Sequence, residues 1–332
     1  MPIAANLFDV CSETFELATP FVISRGAKSL AETITVTLQC IVEGRTIIGR
    51  GEAVPYARYG ETVEGTLAAI KAIGPKLSNR TALQDLLPPG AARNALDCAF
   101  WDLEVKARGI PAYQLAGLDD LTSTETFYTL SLGSPEDMAQ QALSVPQLKC
   151  LKLKLGGGLL DTERMTRVRQ VRPDARLVGD ANEAWLPDIL AQLMEAASQN
   201  AIEVIEQPLP AGEDAALASI KSGFPNVMLC ADESVHSRSG LADLLDRYGA
   251  INVKLDKAGG LTEALALTGH ARALGFKVMV GSMVCSSLGI APAMILAQGA
   301  AWVDLDSPLL LARDRPHALV VSRSGVVQPP LP

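Results

Sequence analysis

Apolar and polar residues alternate in two different rhythms along this chain. Segments 32–44 and 45–53 alternate with a period of two around a Gly-containing turn, which predicts a β-hairpin. Segments 63–77 and 91–109 carry apolar residues at helical spacing, and the second ends at Gly109, a frequent helix terminator. We therefore predict an N-terminal α+β unit, with a loop over residues 55–62 between its sheet and its helices.

Beyond this unit, short apolar segments are separated by amphipathic ones. The predicted strands are 126–132, 150–155, 175–181, 202–208, 227–233, 251–256, 277–282 and 302–306. Helical patterns such as 161–172 and 262–275 fill most of the intervals. Alternating strands and helices are typical of a parallel sheet, and seven or eight such units favour a closed α/β barrel. We place the barrel at 119–306 and the first unit at 1–118, completed by the Pro-rich tail 307–332.

Composition and charge restrict the compartment and the partners. The 332 residues carry a formal charge of -8 at pH 7, which disfavours a nucleic-acid partner. The six cysteines form no CxxC pair and no Cys/His cluster, so we expect neither a zinc site nor a disulfide framework. Residues 1–17 lack the pattern of a signal peptide, and no apolar run is long enough to cross a membrane. We expect a cytoplasmic protein without membrane contact; a homo-oligomer is left open.

Charged residues stand at the predicted ends of five successive strands. They are Lys154, Asp180, Glu206, Asp232 and Lys254. The first four are separated by 26 residues each time and Lys254 follows 22 residues later, so each falls at the same level of the barrel. Active sites of such barrels lie at the C-terminal ends of the strands. One carboxylate alone would be explained by a structural ion pair, but the complete set indicates a functional site.

The order of these residues suggests a chemistry. Three carboxylates on consecutive strands would repel one another unless they bind a divalent cation, and an all-oxygen set favours Mg²⁺ or Mn²⁺ over zinc. The flanking lysines, Lys154 and Lys254, suit proton abstraction next to a substrate carboxylate, with the cation stabilising the enediolate. Two bases that face one carbon from opposite sides would invert it. The sequence thus predicts racemisation or epimerisation.

Two further charged residues lie close to the predicted bases in the sequence. Lys152 alternates with Lys154 and should point into the barrel beside it, where a second ammonium group, burial and the metal would lower the pKa of Lys154 from about 10.4. Asp256 lies two residues after Lys254 and is expected on the same barrel face, where an ion pair with Lys254 could alter its basicity.

These residues belong to short motifs that carry a family resemblance. The motifs are Lys152-Leu153-Lys154, Asp180-Ala181-Asn182, Glu206-Gln207-Pro208, Asp232-Glu233-Ser234 and Lys254-Leu255-Asp256-Lys257. The set resembles the enolase superfamily, in its muconate-lactonising subgroup, and more narrowly the bacterial dipeptide epimerases of the L-Ala-D/L-Glu type. Segments 20–26, 55–62, 210–214 and 304–308 extend the resemblance. It implies a (β/α)₇β modified TIM barrel with an N-terminal capping domain, Mg²⁺, a small dipeptide substrate and a part in peptidoglycan recycling.

The resemblance also implies a role for individual residues. Lys154 and Lys254 would be the acid/base catalysts, Lys152 their support, and Asp180, Glu206 and Asp232 the metal ligands. Arg25 would pair with the glutamyl side-chain carboxylate and Asp306 with the dipeptide's α-ammonium group. The alternatives are a solvated loop arginine for Arg25 and a turn cap for Asp306. We expect Thr129, Ser282 and Cys285 to line the substrate pocket, although a glycine-hinged barrel loop would explain Ser282 and Cys285 equally well. We expect Asn182 and Glu233 to support the metal ligands, Arg58 and Glu61 to belong to a lid, and Lys257 to form a structural ion pair.

Several alternative functions use the same residues. On the same scaffold they include a dipeptide epimerase of other specificity, N-acylamino acid racemase, o-succinylbenzoate synthase and cycloisomerase. Asp306 disfavours the last three because their substrates bring no ammonium group. A Schiff-base lyase using Lys154 would leave the three carboxylates without a purpose. A non-catalytic metal-binding module would not explain a lysine on each side of the metal.

Overall fold

The computed structural model describes residues 3–330, so residues 1–2 and 331–332 of the predicted ranges lie outside it. Three antiparallel strands in the order β1-β2-β3 form the N-terminal sheet. They are β1 (Asn6–Ile23), β2 (Gly26–Val42) and β3 (Arg45–Ala53). The predicted hairpin is confirmed, since Val42 pairs with Arg45 around Glu43 and Gly44, both of which have a positive φ. Alternation alone did not resolve β1, whose register shifts between Glu16 and Phe21.

Four helices follow this sheet in the chain. They are α1 (Val63–Ile73), α2 (Arg80–Leu86), α3 (Ala91–Arg108) and α4 (Ala112–Leu115), with 3₁₀ turns at Ala57–Tyr59 and Gly74–Lys76. Helix α3 ends at Gly109 in the left-handed conformation, as the sequence predicts. It packs so closely on β3 that a Cβ at Gly49 would lie 2.3 Å from the carbonyl oxygen of Ala99. Glycine at this position therefore permits the contact that holds α3 on the sheet.

A sheet of eight parallel strands forms the second unit and confirms the predicted fold class. A short strand, β4 (Thr124–Glu125), precedes it. The eight strands of the sheet are β5 (Tyr128–Leu130), β6 (Cys150–Lys154), β7 (Arg176–Asp180), β8 (Ile202–Glu206), β9 (Met228–Ala231), β10 (Ala250–Val253), β11 (Lys277–Gly281) and β12 (Trp302–Asp304), in sequential order. The backbone N–H of Phe127, directly before β5, donates to Val303 of β12 at 2.8 Å. This bond brings the first and last strands together and nearly closes the barrel.

Helices connect most of the barrel strands, and one more helix follows the last strand. They are α5 (Pro135–Ser144), α6 (Leu160–Val171), α7 (Leu190–Gln199), α8 (Leu217–Ile220), α9 (Leu255–Ala258), α10 (Leu261–Ala273), α11 (Ser287–Ala297) and α12 (Ser307–Leu310). Between β9 and β10 the chain forms only a 3₁₀ helix, Leu241–Leu244. Alternate strand residues, among them Val178, Val204 and Met279, form a buried apolar cluster below the strand ends. None of the helices within residues 3–330 is long and apolar enough to cross a membrane.

The C-terminal tail contacts both units. Leu311 forms an antiparallel bridge with Leu17 of β1, and the Arg315 guanidinium lies 2.6 Å from Glu52 of β3 and 2.5 Å from Glu13 of β1. A last strand, β13 (Val326–Val327), pairs with β4 next to the barrel. The exact domain limits, 1–118 and 119–306, stay predictions.

Candidate active site

Five charged side chains gather where the barrel strands end. Lys154, Asp180 and Glu206 are the last residues of β6, β7 and β8, while Asp232 and Lys254 directly follow β9 and β10. Lys154 is in register with Asp180, and Asp180 with Glu206, so they stand at one level as predicted. Strands β6 and β10 are four positions apart in an eight-stranded barrel. The two lysines therefore come from opposite sides, with the three carboxylates on the arc between them.

Lys152 lies two residues before Lys154 on β6, deeper in the barrel, and is the centre of a buried charge cluster. Its Nζ donates to Glu206 Oε2 at 2.6 Å and to Asp304 Oδ2 at 2.7 Å, and lies 3.1 Å from Asp180 Oδ2. Burial alone would lower the pKa of Lys152, but the three carboxylates raise it well above its ordinary value. Lys152 is therefore a charged counter-ion; its predicted effect on the pKa of Lys154 stays a prediction.

Both candidate bases are ion-paired. Lys154 Nζ lies 2.5 Å from Asp180 Oδ2, and Lys254 Nζ lies 2.6 Å from Asp232 Oδ2. Burial would lower the pKa of Lys254, but Asp232 and Glu206 raise it well above its ordinary value. Lys257 also pairs with Asp232, through Oδ1 at 2.5 Å, as expected of a structural ion pair. Each base must therefore release its carboxylate before it can exchange a proton with a substrate.

The carboxylate arc has the chemistry of a site for a hard divalent cation. It offers only oxygen atoms, although within residues 3–330 no three candidate ligands converge on one point, because lysine ammonium groups lie between them. Three buried oxygen atoms have no hydrogen-bond partner: Asn182 Oδ1, Glu233 Oε2 and Asp304 Oδ1. They belong to residues that line one cavity at the ends of the strands. Unpartnered buried acceptors are costly and uncommon. The residues present therefore fit a cation, provided that the two facing lysines turn away from the carboxylates.

A cavity of about 360 Å³ opens above these residues, between the barrel and the N-terminal sheet. Of the residues predicted around the metal and the substrate, it brings together Arg25, Thr129, Asn182, Glu233, Ser282 and Asp306. Cys285 does not line it; its side chain borders a second, smaller cavity beside Glu52 and Asp256. The N-terminal unit also contributes residues that sequence reasoning missed: Phe21, Ile23, Lys28, Tyr56 and Tyr59. All of them except Lys28 lie in segments 20–26 and 55–62. The family resemblance of those segments is the sequence signal that could have identified these residues.

Asp306 faces the cavity from the opposite arc of the barrel. Its Oδ2 accepts from the backbone N–H of Thr129 at 2.7 Å, across the junction of the last and first strands. It makes no capping hydrogen bond to α12, so the turn-capping alternative is not realised. Burial and the nearby Asp304 carboxylate raise the pKa of Asp306. A cationic ligand group would offset both effects.

Arg25 is the second residue of the two-residue turn that joins β1 to β2, which makes it part of a hairpin rather than a long loop. Its guanidinium lies 2.8 Å from Glu233 and 3.3 Å from Glu183, and it donates to Tyr56 Oη at 3.0 Å. Arg58 binds Glu183 through two contacts of 2.7 Å. These ion pairs fasten the N-terminal unit onto the rim of the barrel.

Asp256 does not share the barrel face of Lys254. The chain turns into α9 directly after Lys254, so the two-residue period that predicted a common face no longer applies. The Asp256 carboxylate instead accepts from the backbone N–H of Val54 at 2.9 Å and from Asn94 Nδ2 at 2.8 Å. The expectation of a common face is wrong, the ion pair with Lys254 that this face would have allowed does not form, and Asp256 joins the two units.

Replacing Asp256 with asparagine should change how stability depends on pH. Burial, reinforced by Glu61 and Glu52, raises the pKa of Asp256 to about 7. Between about pH 4 and that value the folded chain keeps a proton that the unfolded chain loses, so stability falls as pH rises, by at most about 1.4 kcal/mol per pH unit. Asp256→Asn removes this slope. Urea unfolding from pH 5 to pH 8 measures it, and parallel curves for both proteins would contradict the assignment.

Comparisons with known proteins agree with this geometry. Residues 8–117 match the family model of the mandelate racemase/muconate lactonizing enzyme N-terminal domain, and residues 136–329 match the enolase C-terminal domain-like model. The chain is 44% identical to L-Ala-D/L-Glu epimerase of Escherichia coli K12, over 93% of this chain and 96% of that protein. It is 41% identical to N-acetyl-D-glutamate racemase of a Pseudoalteromonas species, over 83% of this chain and 88% of that protein.

Solved structures give the same relationship. An enolase family member of Agrobacterium tumefaciens with homology to dipeptide epimerases, solved with sodium and L-Ala-L-Glu, has a TM-score of 0.92, with 46% identity and 98% coverage of both chains. A dipeptide epimerase of Enterococcus faecalis, solved with Mg and L-Leu-L-Tyr, has a TM-score of 0.90 at 27% identity, covering 98% of this chain and 97% of that one. The chain therefore belongs to the enolase superfamily, in its mandelate racemase/muconate-lactonising enzyme family.

Proposed function

We propose that this protein is a Mg²⁺-dependent isomerase that epimerises the second residue of a dipeptide, with L-Ala-L-Glu and L-Ala-D-Glu as its substrate pair. The observation that carries the proposal is the placement of Lys154 and Lys254 on opposite strands of the barrel, with carboxylates on both arcs between them. A carbon held at the centre would present its α-proton to one lysine in one configuration and to the other lysine in the opposite configuration. Both relatives that act on glutamate derivatives support an acidic substrate.

The proton transfers follow from this placement. Lys154 Nζ takes the α-proton from one face of the α-carbon, and Lys254 Nζ delivers a proton to the other face; the reverse reaction exchanges the roles. Each base starts in an ion pair, so substrate binding must be coupled to the release of Asp180 from Lys154 or of Asp232 from Lys254. Lys152, held by three carboxylates, keeps its charge and fixes the floor of the site.

Asp180, Glu206 and Asp232 would hold the cation. When bound, it would replace Lys154 at Asp180 and Lys254 at Asp232, and it would stabilise the negative charge that the departing α-proton leaves on the substrate carboxylate. Asn182 and Glu233, which carry unpartnered buried oxygen atoms beside this arc, would support the ligands. Mg²⁺ is favoured over zinc because these donors are all oxygen atoms, and Mn²⁺ would satisfy the same donors.

The other arc would bind the N-terminal end of the substrate. Asp306 is buried at the junction of the first and last strands, next to Asp304 and Thr129, and suits the α-ammonium group of a dipeptide. Racemisation of an N-acylglutamate is the second candidate, which the Pseudoalteromonas relative supports. An N-acyl group brings no positive charge to the carboxylates of Asp304 and Asp306, so the dipeptide is the better match. Ser282 would line the pocket beside it.

Incubating the protein with Mg²⁺ in D₂O tests the two candidates together. With L-Ala-L-Glu we expect deuterium at the glutamyl α-carbon and formation of L-Ala-D-Glu, detected by mass spectrometry and chiral chromatography. N-acetyl-L-glutamate should exchange more slowly, because it leaves Asp306 without a cation. Faster turnover of the N-acetyl compound would favour the racemase, and no exchange with either class would refute a 1,1-proton transfer on glutamate derivatives. The cytoplasmic location and the part in peptidoglycan recycling stay predictions.

A further inference from the structure

Gln207 directly follows Glu206, the last residue of β8, and its side chain is fully buried. Its Oε1 accepts from the backbone N–H of Asp232 at 2.9 Å and from that of Ser234 at 3.1 Å, while its Nε2 donates to Leu209 O at 2.9 Å. The backbone pairing of β8 with β9 ends before these residues, at Glu206. The carboxamide therefore takes the place of a backbone strand partner for Asp232.

The nitrogen end of this carboxamide is held by a buried polar network. Nε2 also lies 3.0 Å from Tyr248 Oη and 2.8 Å from Ser234 Oγ. Both hydroxyl groups donate to the buried carboxylate of Asp214, at 2.7 and 2.8 Å, so their oxygen atoms are left to accept from Gln207. Arg247 is the ion-pair partner of the same carboxylate. The orientation of the carboxamide is thus fixed, because its two ends need a donor and an acceptor respectively.

The backbone of Gln207 connects two more strand ends. Its N–H donates to Cys230 O of β9 at 2.9 Å, and its carbonyl accepts from the N–H of Glu183, in the loop after β7, at 2.8 Å. Its φ is 35°, a region that residues with a side chain rarely adopt. Such strained backbone persists only where the surrounding contacts determine it. Gln207 therefore links the ends of β7, β8 and β9, the three strands that carry the candidate cation ligands.

The spacing of its ligands decides which cation such a site prefers. Mg²⁺ requires near-ideal octahedral geometry at about 2.0–2.1 Å, whereas Ca²⁺ accepts more variable geometry at about 2.3–2.6 Å. A ligand frame that cannot widen favours the smaller ion, and a frame that loosens loses affinity for Mg²⁺ before it loses affinity for Ca²⁺. The frame here depends on one amide, because the backbone N–H of Asp232 is held by the Gln207 side chain.

We propose that Gln207 is a positioning residue that fixes the spacing of Asp180, Glu206 and Asp232 and so makes the site select Mg²⁺ over the larger Ca²⁺; this rests on the cation site of the proposed function. Gln207 does not line the cavity, so it acts through the residues that do. Its carboxamide carries no charge, so its effect on the cation is geometric.

Calorimetric titration with MgCl₂ and, separately, with CaCl₂ tests this role in the wild type, Gln207→Met and Gln207→Glu. Methionine preserves most of the volume and removes every polar contact of the side chain. We expect it to raise the Kd for Mg²⁺ by about 10- to 100-fold and the Kd for Ca²⁺ by a few fold at most. Glutamate keeps an oxygen acceptor for the two N–H groups, so its ratio of the two Kd values should lie between those of the wild type and Gln207→Met.

Asn200→Leu is the matched control, because it removes a buried amide far from the cavity. Asn200 follows α7, just before the start of β8, at the opposite end of the barrel from the charged residues. Its Nδ2 donates to Ala196 O at 2.8 Å and to Thr166 Oγ1 at 3.1 Å. We expect Asn200→Leu to lower the Tm and to leave both Kd values unchanged. A lower Tm with an unchanged ratio of Kd values in Gln207→Met would show a structural role alone and overturn the inference.

The remaining outcomes separate this inference from the proposed function. Equal losses of affinity for Mg²⁺ and Ca²⁺ in Gln207→Met would mean that the spacing of the ligands is not what Gln207 controls. If Gln207→Met does not fold, Gln207→Glu decides, and a wild-type ratio of Kd values in that variant refutes the role of Gln207 while the epimerase proposal stands. If the wild type binds neither cation, with or without L-Ala-L-Glu, the cation site of the proposed function fails and this inference with it.

Discussion

Lys154→Ala and Lys254→Ala should each lower the rate of epimerisation by on the order of 10³-fold, because each removes one of the two groups that must exchange a proton with the α-carbon. The two losses should differ in kind. With one base removed, the remaining lysine can still wash deuterium into the epimer whose α-proton faces it, without inverting the centre. We therefore expect each variant to keep isotope exchange with one epimer of Ala-Glu and to lose it with the other, and the two variants to keep opposite epimers.

Proton NMR in D₂O, started separately from L-Ala-L-Glu and L-Ala-D-Glu, measures all four rates. Lys149→Ala is a suitable control, because this lysine is exposed and pairs with Asp174 just before β6, outside the pocket. Its rates should equal those of the wild type. Loss of exchange for the same epimer in both variants would mean that the two lysines do not face opposite sides of the carbon. Full activity in either variant would remove that lysine from the reaction.

The barrel and the ends of its strands could be predicted because their signal is local and repeated. Each strand is a short apolar segment, and a charged residue follows at a spacing close to one βα unit, as from Lys154 to Asp180. Parallel strands in sequential order then place those ends at one level without further information. The same rule failed at Asp256, where the chain leaves the strand and enters a helix within one residue.

The upper half of the pocket could not be derived in this way. Lys28 is 126 positions before Lys154 in the chain, and in the sequence it is one more polar residue of an alternating strand. Only the docking of the β1–β2 hairpin on the barrel brings the two together, and that contact depends on backbone hydrogen bonds such as Leu132 to Val22. Cys285 shows the opposite error. It directly follows residues that line the pocket, but its own side chain lines a neighbouring cavity.

Lys152→Met should destabilise the fold more than any other lysine substitution in this site. The side chain is 1% exposed, and its ammonium is shared by Glu206, Asp304 and Asp180. Methionine preserves most of the volume and removes the charge, which leaves three buried carboxylates without their common counter-ion. Breaking a buried ion pair from one side costs about 3–5 kcal/mol. We expect a loss of this size in the free energy of unfolding, measured with urea at neutral pH.

Two comparisons show whether this loss of stability comes from the missing ammonium charge. Lys149→Met removes a lysine only three positions away, whose ion pair with Asp174 is exposed, and should cost no more than about 1 kcal/mol. Mg²⁺ should stabilise Lys152→Met more than it stabilises the wild type, because carboxylates that have lost an ammonium group attract a cation more strongly. If Lys152→Met were as stable as Lys149→Met, the buried lysine could not be the counter-ion of this cluster. If Mg²⁺ raised the free energy of unfolding of Lys152→Met and of the wild type by equal amounts, the cation would not bind at the carboxylates that Lys152 holds.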